Sequence, residues 1–281
     1  MVNLVTIVGR NTHILPHMLK HYENMVDKVY VGVYKHSQDD PILEEVLELG
    51  IEPFMVRTAP PYNADYITEM YNAIIGTKPN DWWIVADSDE LQVYPYGVDE
   101  IVEECEKSNY TFVTGGFLDR IGPNGTFPTV TRTTDIHKAF PLAGFFRYPM
   151  SDACPNKVVL CKGSQIVTSG QHYAELSDTK SGNSWGRWHK NRMPVDDVFA
   201  QVHHFKWDSS AQQRIKEVSQ TIEDYTWWWE YKRLYDQLEK SNWKVDVKNP
   251  EFKVESLKEF SYINYADYRQ WNDLTDLIIS I

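Results

Sequence analysis

The sequence is poor in cysteine and has no long apolar run, and each of these shortages argues against a class of protein. Only three cysteines occur among 281 residues. Cys105, Cys154 and Cys161 match neither a disulfide framework nor a zinc-binding spacing, so we expect reduced thiols in a cytoplasmic protein. No apolar run approaches the roughly 18 residues of a membrane-spanning helix. The first residues lack the basic segment of a secretion signal, so we expect neither a signal peptide nor a transmembrane segment.

Positive charge is also scarce. Lys and Arg number 28 against 40 Asp and Glu, which gives a formal net charge of −12. Sequence-independent binding to nucleic acid, or to anionic lipid, needs clustered basic residues, so we expect neither partner. An anionic ligand would need a metal ion or a local group of positive charges to overcome this acidic background.

The first ninety residues alternate between two hydrophobic patterns. Short apolar runs, typical of buried strands, are followed by apolar residues at helical spacing. Three strand–helix units and a further strand predict a parallel sheet with right-handed crossovers. We therefore expect an α/β fold with a Rossmann-like, mostly parallel sheet flanked by helices. The predicted strands cover residues 4–8, 29–34, 51–56 and 82–86, and the predicted helices cover residues 14–22, 41–49 and 64–75.

The remainder of the chain predicts shorter elements and a helical end. Polar residues 176–196 predict a long surface loop. Helices are predicted from residue 209 to about 240 and from 255 onward, so we divide the chain into a domain over 1–208 and a C-terminal helical extension over 209–281 packed on it. Trp227-Trp228-Trp229 cannot all face one core, which predicts an interface between helices or in a homodimer. Further short elements are predicted over residues 98–105, 110–115, 157–161, 165–168 and 198–205.

The most informative stretch is Trp82-Trp83-Ile84-Val85-Ala86-Asp87-Ser88-Asp89-Glu90. An apolar run bounded this sharply predicts a buried strand, and the acids then lie at its carboxyl end, where open α/β sheets bind ligands. Two aspartates spaced by one residue can direct their oxygens at one hard divalent cation that also takes phosphate oxygens. The stretch therefore predicts a metal–phosphate site, and a solvated turn after a strand is the alternative.

Further short segments accompany the acids along the chain. Together they resemble the order of features in GT-A type glycosyltransferases, in particular the family 2-like branch. The resemblance covers roughly residues 3–210, and the Asp-x-Asp motif in its strand context is its strongest part. The accompanying segments are Ile7-Val8-Gly9-Arg10-Asn11, Ser37-Gln38-Asp39-Asp40, Tyr71-Asn72, Asn156-Lys157-Val158-Val159, His172 and His203-His204-Phe205-Lys206-Trp207.

This resemblance implies a GT-A fold that holds a nucleotide-sugar donor across the carboxyl ends of the first strands. Mn²⁺ or Mg²⁺ would bridge the two phosphates of the donor. Asp89 would be a direct metal ligand, and Asp87 would contact the metal or the ribose. Glu90 would orient the other two acids.

Other polar residues are candidates for binding the donor. Arg10 and Asn11 could hold the base or the ribose, or they could form an exposed pair that caps the next helix. Asp39 suits a hydrogen bond to the nucleotide, and Lys157 is a further donor-binding candidate. Arg187 lies in Trp185-Gly186-Arg187-Trp188-His189-Lys190-Asn191-Arg192, which could cover the diphosphate, stack on an acceptor sugar or remain a solvated loop.

An inverting transfer needs a carboxylate that accepts the proton of the acceptor hydroxyl. Asp119 is the first candidate and Asp152 the second, whereas a surface ion pair of Asp119 with Arg120 is the alternative for the first. Tyr71 could face the cleft, but a helical tyrosine is more often part of the core.

The resemblance also implies a histidine from the later part of the chain as a further metal ligand. Neighbouring residues on a strand point to opposite faces, so only one of His203 and His204 can face the cleft. His204 is favoured because Lys206 shares its face and could neutralise phosphate. His172 is the second choice.

We therefore expect a metal-dependent, inverting glycosyltransferase that moves a sugar from a nucleotide-diphosphate donor to a glycan or other acceptor. A non-catalytic carbohydrate-binding or scaffold protein is the alternative. NAD and FAD are not expected, because Gly9-Arg10-Asn11 lacks the Gly-x-Gly-x-x-Gly pattern. Sugar-nucleotide pyrophosphorylases need a longer, glycine-rich basic loop at this place.

Overall fold

The computed structural model describes residues 1–59, 63–175, 190–220 and 228–257. These residues form a mixed α/β fold with a mostly parallel central sheet flanked by helices, which confirms the predicted fold class. The strands are β1 (Val2–Val8), β2 (Lys28–Lys35), β3 (Met55–Thr58), β4 (Trp82–Val85), β5 (Glu90–Val93), β6 (Phe112–Ile121), β7 (Leu142–Gly144), β8 (Asn156–Lys162), β9 (Ile166–Val167), β10 (Ala174–Glu175), β11 (Ala200–His204) and β12 (Glu255–Ser256). The helices are α1 (Leu15–Tyr22), α2 (Ile42–Glu48), α3 (Ala64–Ile75), α4 (Val98–Ser108), α5 (Ile136–Ala139), α6 (Arg147–Ser151), α7 (Ala211–Gln220) and α8 (Trp228–Lys240).

The strand order brings several carboxyl ends to one edge of the sheet. Strands β3, β2, β1 and β4 lie side by side and parallel. Strand β8 follows, antiparallel to β4, and β6 is antiparallel to β8, so β6 runs in the same direction as β4. Strand β11 is parallel to β6. The carboxyl ends of β1, β4, β6 and β11 therefore face the same side of the molecule.

Alternating side chains of the central strands build a core on each face of the sheet. Leu4 and Ile84 pack in the cluster that contains residues of α1 and α4. Val5 and Val85 pack in the cluster that contains residues of α3. Strand β1 is buried along its whole length, as its apolar sequence predicts.

The two C-terminal helices pack against the sheet. Ile215 of α7 and Leu234 of α8 share an apolar cluster with Ile121 and Phe146, which lie at the end of β6 and beside α6. The indole Nε1 of Trp228 donates to the carbonyl oxygen of Ser219, 3.0 Å away, and so joins α8 to α7. Trp227 lies outside the described residues, and the division at residue 208 and the homodimer stay predictions.

Several strands differ from the sequence prediction. Strand β3 covers Met55–Thr58, where residues 51–56 were predicted, and the short strands β7 and β10 were not predicted. Strand β5 was not predicted because it forms by pairing with the distant strand β11. The local sequence of residues 90–93 gives no sign of that pairing. Glu255 and Ser256 form a strand against Ala143 and Leu142, where the sequence predicted the start of a helix. The prediction at these two residues is wrong, since tertiary pairing overrides the local helical pattern. Among the described residues, no helix combines the length and apolarity needed to cross a membrane.

Candidate functional site

A cleft with about 1110 Å³ of empty space, open to solvent, lies at the carboxyl edge of the sheet. Loops after β1 and β4, the ends of β6 and β11, and residues of α7 and α8 surround it. We call it the central cleft. Open α/β sheets bind ligands at this edge. The sequence-predicted residues that line it are Arg10, Asn11, Asp87, Asp89, Lys157, His172 and His204.

A buried ammonium organises the first part of the acidic motif. Nζ of Lys157 lies 3.0 Å from Oδ2 of Asp87, 2.8 Å from Oε1 of Glu90 and 2.9 Å from Oε1 of Gln171. Its three hydrogens are therefore all donated to protein oxygens. Burial raises the pKa of Glu90. Burial acts in the same direction on Asp87, but the ammonium of Lys157 outweighs it and lowers the pKa of Asp87 to about 2.

Tyr71 joins this network from α3. Its hydroxyl donates to Oδ1 of Asp87 at 2.8 Å and accepts from the backbone N–H of Ile7 at 3.2 Å. The side chain is fully buried, so Tyr71 is part of the core and also fixes the orientation of Asp87. The amide of Asn72 binds both the N–H and the carbonyl of Val167, which is a structural role away from the acids.

The second acid of the motif faces a histidine. Nε2 of His204 lies 3.8 Å from Oδ1 of Asp89, and Nδ1 of His204 lies 3.2 Å from Oδ1 of Asp119. Only the contact of Nδ1 with Asp119 is within hydrogen-bond distance, and a carboxylate can only accept, so we assign the proton of the neutral ring to Nδ1 and leave Nε2 as an acceptor. Burial lowers the pKa of His204, which favours this neutral form.

Asp119 is held in place by several donors. Trp207 donates its indole N–H to Oδ1 at 2.8 Å, and the backbone N–H of Arg147 donates to Oδ2 at 3.2 Å. With His204 as a third contact at 3.2 Å, both oxygens of Asp119 are engaged within the protein. Asp119 also does not line the central cleft but a smaller neighbouring cavity. This geometry favours the orientation of His204 over proton abstraction.

His203 precedes His204 in the chain, and Arg120 follows Asp119. His203 and Arg120 both lie on the face of the sheet opposite to that of His204 and Asp119. Nδ1 of His203 is 3.0 Å from Nη1 of Arg120, whose Nη2 donates to the carbonyl of Phe140 at 2.6 Å. Both side chains are fully buried. The alternative of a surface pair between Asp119 and Arg120 is therefore wrong, because neighbouring strand residues point to opposite faces of a covered sheet.

His172 borders the central cleft at another wall. Its Nδ1 lies 2.7 Å from the carbonyl oxygen of Asn156, and burial lowers its pKa to about 4. The imidazole is therefore neutral near pH 7. His204, rather than His172 or His203, is paired with Asp89 in this structure.

Cations from distant parts of the chain also line the central cleft. Arg147 and Arg214, which the sequence analysis did not single out, lie there with Lys206 and Arg10. Nη1 of Arg10 is 2.6 Å from Oε2 of Glu217 on α7. No local spacing could have revealed this group, because its members come from a loop, α6, the end of β11 and α7. The three arginines already face carboxylates, whereas Lys206 donates to the neutral hydroxyl of Tyr231 at 3.0 Å. Lys206 therefore supplies local positive charge of the kind that an anionic ligand needs in an acidic protein.

Some predicted residues lie elsewhere. Asp39 is exposed and does not line the central cleft, whereas Asp40 accepts from the backbone N–H of Ile42 at 3.1 Å and so helps to begin α2. Asp152 is exposed, pairs with Arg233 and lines an adjoining cavity instead. These placements separate two predicted residues from the acidic motif.

The segment that was predicted to cover the diphosphate, residues 185–192, is described only from residue 190 onward. Arg187 lies outside the described residues. The backbone N–H of Thr111 donates to the carbonyl of Asn191, and Arg192 lies beside Phe112 at the start of β6. This is the end of β6 opposite the central cleft, so Asn191 and Arg192 do not cover the acids. The sequence did not reveal this pairing because it is a long-range contact.

Known proteins resemble this chain only weakly. No family model matches the chain, and no curated protein matches it. A protein described as a glucose-1-phosphate thymidylyltransferase from Bacillus anthracis is 12% identical, with 83% of this chain and 99% of that chain covered and a TM-score of 0.34. Mannose-6-phosphate isomerase from Helicobacter pylori is 12% identical over 58% of this chain and 71% of that chain, with a TM-score of 0.30. S. aureus TarS is 12% identical over 58% of this chain and 47% of that chain, with a TM-score of 0.28. Scores this low support no conclusion about function.

Proposed function

We propose that this chain is a metal-dependent, inverting glycosyltransferase that moves a sugar from a nucleotide-diphosphate donor to a glycan or glycoconjugate acceptor. One observation carries the proposal. Oδ1 of Asp89 and Nε2 of His204 lie 3.8 Å apart at the carboxyl edge of the sheet, inside a cleft that Lys206 and Arg214 also line. That combination suits a ligand made of two phosphates and a divalent ion.

The donor set fits Mn²⁺ or Mg²⁺. Among the described residues, no group of three or more His, Cys, Asp or Glu side chains is arranged to hold a metal. Ions of this kind are commonly held by one or two protein side chains with phosphate oxygens and water. Asp89 and His204 would supply the protein ligands, and Asp119 orients the histidine as carboxylates do beside metal-bound imidazoles. The bound ion would act as a Lewis acid that stabilises charge on the departing diphosphate.

The other residues of the central cleft would bind and orient the donor. Lys157 keeps Asp87 ionised and in place, so that Asp87 can accept from a ribose hydroxyl. Arg10 and Asn11 would contact the nucleotide from the loop after β1. Lys206 and Arg214 would lie against the phosphates from the opposite wall. Asp152 is the candidate base, because Asp119 orients His204, whereas Asp152 is exposed and can leave its partner Arg233 to accept a proton.

The test is a screen of nucleotide sugars with several bases, each incubated with the protein and Mn²⁺ or with EDTA. We expect metal-dependent release of free nucleotide from one donor, since transferases of this kind hydrolyse the donor slowly. Calorimetry should show metal-dependent binding of the matching nucleoside diphosphate.

Two substitutions make the screen specific. Asp89→Asn should abolish metal-dependent binding, whereas Asp39→Asn, a substitution of an exposed aspartate outside the central cleft, should leave it unchanged. Equal binding by the Asp89→Asn variant and the parent would make the site assignment wrong. A complete lack of metal-dependent nucleotide binding in the parent would instead favour a non-catalytic carbohydrate-binding or scaffold protein.

A further inference from the structure

A second cavity adjoins the central cleft. It has about 1030 Å³ of empty space, and Arg147, His172 and Tyr231 belong to the walls of both. We call it the side cavity. Because the two share a wall, a group bound in the side cavity would lie next to a donor bound in the central cleft.

Aromatic side chains form much of the side cavity. Tyr148, Tyr173 and Trp229 line it together with Tyr231. Trp229 is 38% exposed, and the guanidinium of Arg233 lies 5.1 Å from the centre of its ring. Aromatic faces suit the apolar faces of sugar rings, so these rings can stack on a bound sugar.

The side cavity is also lined by Arg147, whose guanidinium has a hydrogen-bond donor that no described residue satisfies. Nη2 of Arg147 donates to Oε1 of Glu230 at 2.9 Å. Its Nε is buried and has no hydrogen-bond partner among the described residues. A buried polar group without a partner needs an explanation, and a ligand oxygen close to Arg147 would provide one.

The charges around the side cavity are balanced. Arg147 is paired with Glu230, and Asp152 is paired with Arg233. His172 is neutral near pH 7, because burial lowers its pKa to about 4. An anionic ligand would therefore find no net positive charge there, whereas the hydroxyls of a neutral sugar can donate to Glu230 and accept from Arg147.

We propose that the side cavity binds a neutral sugar unit of the acceptor, which stacks on Trp229 and hydrogen-bonds to the pair of Arg147 and Glu230. The role of this sugar as an acceptor rests on the proposed function, but its binding needs neither donor nor metal. Arg147 would be a specificity-determining residue, since it contacts both cavities.

The experiment is saturation-transfer NMR of the metal-free protein with methyl glycosides. The probes are methyl glycosides of neutral hexoses and N-acetylhexosamines, compared with methyl glucuronide and glucose 6-phosphate. We expect a neutral glycoside to bind and the charged sugars to bind more weakly. Trp229→Ala should weaken the binding of the neutral glycoside by about tenfold. Trp229→Tyr should keep part of the affinity, because tyrosine retains an aromatic face. Phe54→Ala removes an exposed aromatic on another surface and is the matched control.

The outcomes separate this inference from the proposed function. Binding of a neutral glycoside that falls in Trp229→Ala but not in Phe54→Ala supports the side cavity, even if no nucleotide sugar is hydrolysed. Binding that is equal in both variants overturns it. So does a failure of every neutral glycoside to bind, or a preference for the charged sugars, even if donor hydrolysis is observed.

Discussion

Replacing Lys157 by methionine tests whether the buried ammonium holds the acidic motif together. Methionine keeps a similar length and removes the charge. The carboxylates of Asp87 and Glu90 then lose their shared partner, and Gln171 loses a donor. We expect a clear loss of stability, with Glu90 as its main source.

The magnitude follows from how deeply each group is buried. The side chains of Lys157 and Glu90 are each 1% exposed, whereas that of Asp87 is 40% exposed and can regain water. Removal of one partner of a buried ion pair typically costs about 3–5 kcal/mol. Burial raises the pKa of Glu90, so this carboxyl can take up a proton when Lys157 is gone, and we expect the lower end of the range, about 3 kcal/mol. In a chain of this length 1 kcal/mol shifts Tm by about 2 °C, so we expect Tm to fall by about 6 °C.

The assay is thermal and urea unfolding of three variants beside the parent. Lys162→Met is the matched control, since Lys162 pairs at 2.9 Å with Glu106 but both side chains are partly exposed. It should cost no more than about 1 kcal/mol. The double variant Lys157→Met/Glu90→Gln should be more stable than Lys157→Met alone at neutral pH, because a buried amide is neutral without taking up a proton on folding. A Lys157→Met variant as stable as Lys162→Met would refute the reasoning.

Three further predictions concern other parts of the molecule. Asp119→Ala should weaken Mn²⁺ binding by about 10–100-fold, because the histidine that it orients loses its acceptor, and calorimetry with Mn²⁺ checks this; unchanged affinity would contradict it. Gly115→Ala should lower the urea midpoint of unfolding, because the new methyl group would overlap the carbonyl oxygen of Ala200 and separate β6 from β11; a variant as stable as the parent would show that the strands can shift. Cys105 and Cys161 should not react with a thiol reagent at pH 8 in the folded protein, because burial raises both pKa values to about 12, and rapid reaction of more than one thiol before urea is added would count against this.

The sequence alone determined most elements of the first half and the position of the acids, but neither strand β5 nor the bounds of β3. Helix α3 covers Ala64–Ile75 as predicted, and β4 covers Trp82–Val85 within the predicted run. Both follow from local patterns, since the spacing of apolar residues reports which side of an element is buried. The alternation of strands and helices then fixed a parallel sheet, and a parallel sheet places Asp87 and Asp89 at its carboxyl edge.

The sequence also separated His203 from His204 by the alternation of strand residues. It could not identify their partners. His204 meets Asp119 across 85 positions, and Arg147 meets Glu230 across 83. These partners depend on the strand order and on how α8 packs. Neither can be read from the local spacing of apolar residues.

Only the tertiary structure decided the role of each charged group. Lys157 and Glu90 lie 67 positions apart, and their pairing exists because β8 is inserted beside β4. The exposed position of Asp39 and the strand at Glu255 and Ser256 were decided in the same way. A local pattern reports only whether a residue is buried, whereas its chemistry depends on which distant residue the fold places beside it.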